Sequence, residues 1–468
     1  MPANLKPLAK LNPYIFREYD IRGLVGKDLR PEVAEVLGKA YGTYIQKLSG
    51  KNICVGGDNR TSTDELKPAF IQGLLSTGCD VTDIGLSLSP MMYFAVCFYG
   101  FDGGANVTGS HNPAEFNGFK LTEKEARPVF GKMVQEIRWI AEAGKFAEGK
   151  GELSGKEIAG DYFKAILDRV KLPRKVKVVA DAGNGIAGLY APKLLRKLGC
   201  EVVELFCEPD SSYPNHLPDP EIEANMAELR KAVVREKAEL GLGFDGDGDR
   251  IGIVDENGKY YTADHILLLL ARDLLQRKPG AKVVAEVKCS QNLFDDIERH
   301  GGTPIIWKAG HSLIKQKMRE ENALLGGEVS GHMFFREDYY GFDDSFLAAA
   351  RLLRYYVESG KKFSQLFEGL PKVFNTREIK VPCPDEKKFE VVEKVKQHFT
   401  KQYEAITVDG VRVLFGEGAW GLVRASNTNP YLTLRFEAKS AAKLRQIKEI
   451  VWDKLREFPE VALDKARE

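Results

Sequence analysis

Three stretches of this chain repeat one grammar, and the repetition limits the folds open to it. Each runs from an apolar strand through a Gly-rich or polar turn into an amphipathic helix, then a glycine and a second strand. KNICVGGD leads to a helix predicted over 63–76 and to STGCDVTDIG. KVKVVADAGNG leads to a helix over 188–198 and to KLGCEVVELF. AKVVAEVKCS leads to a helix over 291–300 and to RHGGTPIIWKAG. Each reads as a βαβ unit, because two β-branched runs can pair in parallel only if a crossover returns the chain to the same end of the sheet. The last two repeats continue with a second helix, predicted over 224–237 and 312–321, and another strand. The repeats then end in NVTGSHNP, GLGFDGDGDR and LLGGEVSGH, so one structural position carries three different sets of groups. Beyond the carboxyl ends of the strands is where open α/β sheets bind ligands.

A length of 468 residues exceeds one ordinary core, since domains usually hold about 100 to 200 residues. After Pro371 the pattern changes: REIKVP, EAITVDG, VRVLFG, WGLVRAS and YLTLRFEA read as short strands between two helices, an α+β arrangement. The expected division is 1–159, 160–261, 262–373 and 374–468. Lys plus Arg number 68 against 67 Asp plus Glu, so no chain-wide field draws the protein to nucleic acid or an anionic membrane. Neither a signal peptide nor a membrane span is legible, and a cytoplasmic location is expected. The seven cysteines, at 54, 79, 97, 200, 207, 289 and 383, form no CxxC pair and read as buried, reduced thiols.

Asp245, Asp247 and Asp249 alternate with glycines that let the backbone fold tightly, so three carboxylates can converge on a hard cation. An EF-hand loop also places Asp at alternate positions, and Glu256 stands where its twelfth ligand would. That reading needs a glycine where Arg250 stands, and helices where GLGF and RIGIVD are strand-like. With only three protein carboxylates the cation keeps open positions, which suits Mg²⁺ bridging to a phosphate, and Arg250 can bind the same group. In TGSHNP, Ser110 sits in a tight turn before Asn112 and Pro113, as an exposed nucleophile would. Ser and Asn-Pro are also ordinary turn formers, and Ser110 beside His111 makes no hydrolase triad, since sequence neighbours rarely face each other.

Glu328 and Ser330 in GEVSGH offer a carboxylate and a hydroxyl that match two neighbouring sugar hydroxyls; a surface turn has the same composition. Arg424, Ser426, Asn427, Thr428 and the turn around them form a phosphate nest, or an Asx-rich hairpin turn. FREYDIRG, with Tyr19 and Arg22, mixes charge and aromatic character as an exposed salt-bridged strand also does. Lys120, Lys288 and His311 carry no motif.

Taken in order, FREYDIRG, TGSHNP, DGDGDR, GEVSGH and RASNTNP resemble the α-D-phosphohexomutase superfamily, and most closely its bacterial phosphomannomutase/phosphoglucomutase group. The resemblance implies three related α/β/α domains with mixed sheets and a C-terminal α+β (TBP-like) domain around a central cleft. It implies that Ser110 is phosphorylated, that Asp245, Asp247 and Asp249 hold Mg²⁺ with Ser110, and that Glu328 and Ser330 meet the sugar hydroxyls. Arg424, Ser426, Asn427 and Thr428 clamp the phosphate that is not reacting, and Tyr19, Arg22, Lys120, Arg250, Lys288, His311 and His332 surround the sugar. Acid and base are sought among Arg22, Lys120 and His332. The implied reaction moves a phosphoryl group between the 1- and 6-positions of mannose or glucose through a hexose 1,6-bisphosphate. Phosphoglucosamine mutases look more like SASHNP and GEQSGH, where Gly109 and Val329 stand here. A non-catalytic sugar phosphate binding protein is the other class considered. Small hexose phosphates are the expected partners, and a monomer or weak homo-oligomer the expected state.

Overall fold

The computed structural model describes residues 11–427 and 429–467. They form two compact units: one runs to Leu274 and takes in Leu324–Leu366, and the other comprises Leu275–Ala323 and the chain from Phe367 onwards.

In the first unit a six-stranded sheet has the order Ile21–Leu24, Phe116–Glu123, Gly103–Val107, Asn52–Gly57, Asp80–Leu86 and Leu153–Gly155. Asn52–Gly57 pairs in parallel with both Asp80–Leu86 and Gly103–Val107, as a βαβ repeat demands, while Phe116–Glu123 returns antiparallel. The crossover helix Thr63–Ser76 spans the predicted residues. It buries Phe70, which stacks between Tyr41 and Phe119.

The second repeat gives a five-stranded sheet in which Lys177–Asp181 pairs in parallel with Glu201–Leu205 and with Leu240–Phe244. Leu240–Phe244 then turns back antiparallel into Ile251–Asp255, so the acidic loop is the tip of a buried β-hairpin. Strands, not helices, flank it, and Glu256 is engaged elsewhere, accepting from Ser364 Oγ at 2.6 Å; the EF-hand reading falls on both counts. A smaller hairpin, Leu325–Gly327 with Met333–Phe335, carries the GEVSGH loop. The apolar run from Ile266 to Ala271 is part of the helix Ala263–Arg277, and its side chains are buried.

In the second unit Lys282–Glu286 and Thr303–Trp307 form the parallel pair of the third repeat, with the helix Gln291–Arg299 crossing over. An antiparallel sheet follows, in the order Phe374–Asn375, Tyr431–Ala438, Trp420–Ala425, Val411–Leu414 and Ala405–Ile406, with helices Asp385–Phe399 and Ala441–Arg456 covering it. This sheet is tied to the third repeat by buried arginines. Arg412 donates to the carbonyls of Val287 and Cys289, both at 2.8 Å, and Arg435 to that of Lys288 at 2.8 Å. Trp420 lies under the Arg412 guanidinium and donates its indole N–H to Glu437 at 3.0 Å.

None of the seven cysteines, all of them among the described residues, is in a disulfide. Six are buried as expected, but Cys97 is only half-buried, because it lies in the last turn of Ser89–Tyr99, where the helix reaches solvent at Phe98. No described helix is long and apolar enough to cross a membrane.

Candidate active site

The serine loop and the acidic loop meet. Ser110 Oγ lies 3.3 Å from Asp245 Oδ2, and a side chain at Gly246 would place its Cβ 2.3 Å from the Ser110 carbonyl oxygen, so only glycine permits the approach. Ser110 itself is in the left-handed region with φ 51°, a conformation that costs a non-glycine residue on the order of 1 kcal/mol or more. That turn brings the hydroxyl to within 3.1 Å of His111 Nδ1, so the adjacent ring does face it, contrary to the expectation from sequence neighbours. The Ser110 amide donates to Thr108 Oγ1 at 2.8 Å.

Asp245, Asp247 and Asp249 are fully buried, each contributing an oxygen to a cluster whose atoms lie within 4.8 Å of one another. Burial, then repulsion from Asp249 and Asp247, pushes the Asp245 carboxyl well above the usual carboxylate range. Asp249 is pushed up by burial too, but Lys120 and His332 outweigh that and hold it well below. Asp247 Oδ1 is buried and accepts no hydrogen bond, and Asp249 Oδ1 faces the His332 ring at 3.3 Å. Converging carboxylate oxygens, one of them unsatisfied, fit a hard divalent cation, which takes oxygen ligands and relieves their repulsion. The other oxygen of Asp247 is oriented from behind by Ser89 Oγ at 2.5 Å, itself held by Asn106 Nδ2 at 3.1 Å.

Cations ring these carboxylates. Lys120 Nζ, on Phe116–Glu123, lies 2.6 Å from Asp247 Oδ2 and is also ion-paired with Asp249. Burial opposes its charge, yet the aspartates win and its pKa rises well above the ordinary lysine value. His332 places Nε2 3.3 Å from Asp249 Oδ1 and Nδ1 3.2 Å from Glu328 Oε2, with Ser330 Oγ at 3.0 Å. Its pKa is lowered by burial but lifted to about 10 by Asp249 and Glu328. Arg22 donates to the Gly109 carbonyl at 2.7 Å and to Asp20 at 2.6 Å. Arg250 lies 3.7 Å from Asp219 and 3.6 Å from Glu221, and its Nε is buried without a hydrogen-bond partner. Tyr19 is half-buried in the tight turn that leads into Ile21–Leu24. Thus the first unit gathers Ser110, the three aspartates, Lys120, Arg22, Arg250, Glu328, Ser330 and His332.

The second unit holds the remaining predicted residues. Arg424 is buried, its Nε donating to Asp409 Oδ2 at 2.8 Å, and the same oxygen accepts the Ala309 amide at 3.1 Å. Burial disfavours the Arg424 charge, but Asp409, Glu286 and Glu378 outweigh that and raise its pKa. Lys288 Nζ pairs with Glu378 at 2.9 Å and lies 3.6 Å from Glu286. Ser426 Oγ accepts the Asn429 amide at 3.2 Å, closing the turn that contains Asn427. His311 opens the helix His311–Glu321 after Gly310, whose φ is 132°. Thr428 lies outside the described residues.

Family models for the phosphoglucomutase/phosphomannomutase α/β/α domains I, II and III match residues 13–148, 160–258 and 262–374, and the model for their C-terminal domain matches 378–454. A phosphomannomutase/phosphoglucomutase of Pseudomonas putida is 43% identical over 98% of this chain and 99% of its own. The chain belongs to the phosphoglucomutase/phosphomannomutase family. A phosphoglucomutase of Neisseria gonorrhoeae is 41% identical over 94% of this chain and 96% of its own. The crystal structure of a phosphoglucomutase/phosphomannomutase family protein from Burkholderia thailandensis superposes with a TM-score of 0.92 at 37% identity, covering 97% of this chain and all of that one.

For a phosphoglucomutase/phosphomannomutase family member, the motifs left several neighbours of the site unremarked. Ser89, Asp343 and Asp409 touch residues that the motifs single out, and Glu286 and Glu378 touch Lys288, which the resemblance singles out. One signal was available: the first strand of each repeat ends in or runs into an acid, Asp58, Asp181 and Glu286, at the sheet edge where ligands bind.

Proposed function

We propose that this protein is a phosphomannomutase/phosphoglucomutase, which interconverts hexose 1- and 6-phosphates through a phosphoserine at Ser110. What carries the reading is the Ser110 hydroxyl set 3.3 Å from the nearest carboxylate of a buried, three-aspartate cation site. Asp245, Asp247 and Asp249, with Ser110 as a fourth protein ligand, would hold Mg²⁺, which when bound would supply positive charge against the transferring phosphoryl oxygens.

In the first half-reaction the bond between Ser110 Oγ and phosphorus breaks as one forms from phosphorus to the free hydroxyl oxygen of the sugar monophosphate. The hydroxyl proton ends on Ser110 Oγ, relayed among Arg22, Lys120 and His332. Lys120 and His332 stand beside the aspartates, 2.6 Å from Asp247 and 3.3 Å from Asp249, where they can pass that proton and offset charge. Arg250 holds the transferring group. The resulting hexose 1,6-bisphosphate turns over and returns its other phosphoryl group to Ser110, so the clamp of Arg424, Ser426, Asn427 and Thr428 must accept either end of the sugar. Glu328 and Ser330 serve both orientations by holding the 3- and 4-hydroxyls near the middle of the ligand, with Tyr19, Lys288 and His311 around it. Neither need touch C2, which explains acceptance of both mannose and glucose. Ser110 is only 2% exposed, not exposed as its turn suggested, because the acidic loop packs against it, and such shielding protects a phosphoserine from transfer to water. Free hexose phosphates as substrates, a cytoplasmic location, a monomer or weak homo-oligomer, and no role for nucleic acid belong to the same reading.

Incubation with glucose 1-phosphate or mannose 1-phosphate, Mg²⁺ and a trace of glucose 1,6-bisphosphate should yield the 6-phosphates. Binding without product would make the protein a sugar phosphate binder, and turnover confined to glucosamine phosphate would make it a phosphoglucosamine mutase.

A further inference from the structure

Beneath the serine loop lies a charged pair that the reaction as described does not use. Arg60 is 2% exposed and Asp58 1% exposed, just beyond the strand Asn52–Gly57. A guanidinium has five N–H donors in a rigid fork, and here every heteroatom of it is engaged. Nε donates to Asp58 Oδ2 at 3.2 Å. Nη1 donates to the carbonyls of Pro113 at 2.7 Å and Phe116 at 2.8 Å, and Nη2 to those of Ser110 at 2.9 Å and Asn112 at 2.5 Å. Asp58 is filled as well: Oδ1 accepts the Arg60 amide at 3.0 Å and Thr63 Oγ1 at 2.8 Å, and Oδ2 also accepts the Gly109 amide at 3.2 Å. One buried cation therefore gathers four carbonyls of the segment that carries Ser110, and its counter-ion holds the residue before it. Gly109 packs against the same group, and a Cβ there would fall 2.4 Å from the guanidinium carbon, so a side chain must displace it. The Tyr213 ring covers the guanidinium at 5.2 Å.

We infer that Arg60, neutralised by Asp58, is a positioning residue for phosphoryl transfer: it grips the Ser110 carbonyl against Gly246 and so sets the height and direction of Ser110 Oγ above Asp245, Asp247 and Asp249. The inference rests on the function proposed above. A strained backbone at φ 51° persists only where its surroundings over-determine it, and the four-carbonyl grip supplies that determination. Lysine cannot substitute, because an ammonium has three donors and no planar fork, so an Arg60→Lys variant keeps the buried charge and loses part of the grip.

Because a misplacement of about 1 Å can cost on the order of 100-fold in rate, R60K should lower kcat about 100-fold while KM for glucose 1-phosphate stays within about twofold. The measurement is steady-state mutase kinetics per folded molecule, beside the wild type, with thermal melting of both. A merely structural role would lower the melting temperature and leave kcat per folded molecule unchanged, and that result overturns the inference. Gly109→Ala is the second variant: it keeps every hydrogen-bonding group and drives a methyl against the guanidinium, so it should show the same loss of kcat. If R60K does not fold, G109A decides, and a wild-type kcat in G109A overturns the inference. A wild type that converts no hexose phosphate overturns the mutase reading and this inference together; an active wild type with unaffected variants overturns this inference alone.

Discussion

The serine–aspartate site of the first unit and the arginine–lysine site of the second are both buried and both charged, but they are built on opposite balances. In the first, three buried aspartates converge, and Asp247 Oδ1 accepts no hydrogen bond despite the cations around it. In the second, Arg424 and Lys288 are each matched by a carboxylate, Asp409 and Glu378, that orients them. A surplus of converging carboxylate oxygen recruits a cation. A matched cation is pre-aimed for an anion and loses little freedom on binding it. The proposed function assigns transfer to the first site and recognition to the second.

Kinetics of single variants can break that division. Ser110→Ala should lower kcat by roughly four orders of magnitude or more, as loss of a covalent nucleophile does, while isothermal titration still detects glucose 1-phosphate binding. Arg424→Ala should leave kcat nearly intact and raise KM by about 10- to 150-fold, since a charged hydrogen bond to phosphate is worth about 1.5 to 3 kcal/mol. If R424A instead lost kcat with KM unchanged, the assignment of recognition to the second site would fall. Ser89→Ala removes only the hydroxyl that orients Asp247, and outer-shell losses of this kind cost about 10-fold in metal affinity; Mg²⁺ titration of the mutase rate reads it. The smallest effect is on stability. Burial raises the Glu378 pKa, but Lys288, Lys380 and Arg424 outweigh it and hold it at about 2, against an ordinary 4.5. A depressed folded pKa stabilises above the unfolded value and loses that stabilisation as pH falls through the folded one. The melting-temperature gap between wild type and Glu378→Gln should therefore be widest above pH 4.5 and narrow towards pH 2; a gap independent of pH contradicts the ion pair.

Period and turn chemistry made much of the fold legible. The helices Thr63–Ser76 and Gln291–Arg299 sit where alternating apolar runs and a closing glycine placed them. The acidic and GEVSGH loops lie at the tips of hairpins beyond the strands, where the repeats placed them, and the three aspartates converge as their glycine spacing suggested. What stayed hidden depends on tertiary contact. Arg60 in GGDNRTS looks like any turn arginine, and only its four carbonyl partners, 50 to 56 residues away in sequence, distinguish it. Lys120 sits in an ordinary strand, and nothing local reveals that its ammonium reaches Asp247 more than a hundred residues on. Ser89 at a helix start reads as a cap, yet it supports Asp247. Likewise the buried arginines Arg412 and Arg435 show no motif, though they fasten the C-terminal sheet to the backbone around Lys288.

On the proposed function the hydroxyl at Ser110 carries the phosphoryl group over the three aspartates. Peptide mass spectrometry of the purified protein after incubation with glucose 1,6-bisphosphate and Mg²⁺ tests it directly. The account predicts one added phosphoryl group, located on Ser110 and removed when excess glucose 1-phosphate is supplied. An active protein that carries the group on another residue, or that turns over with Ser110 never modified, would contradict it.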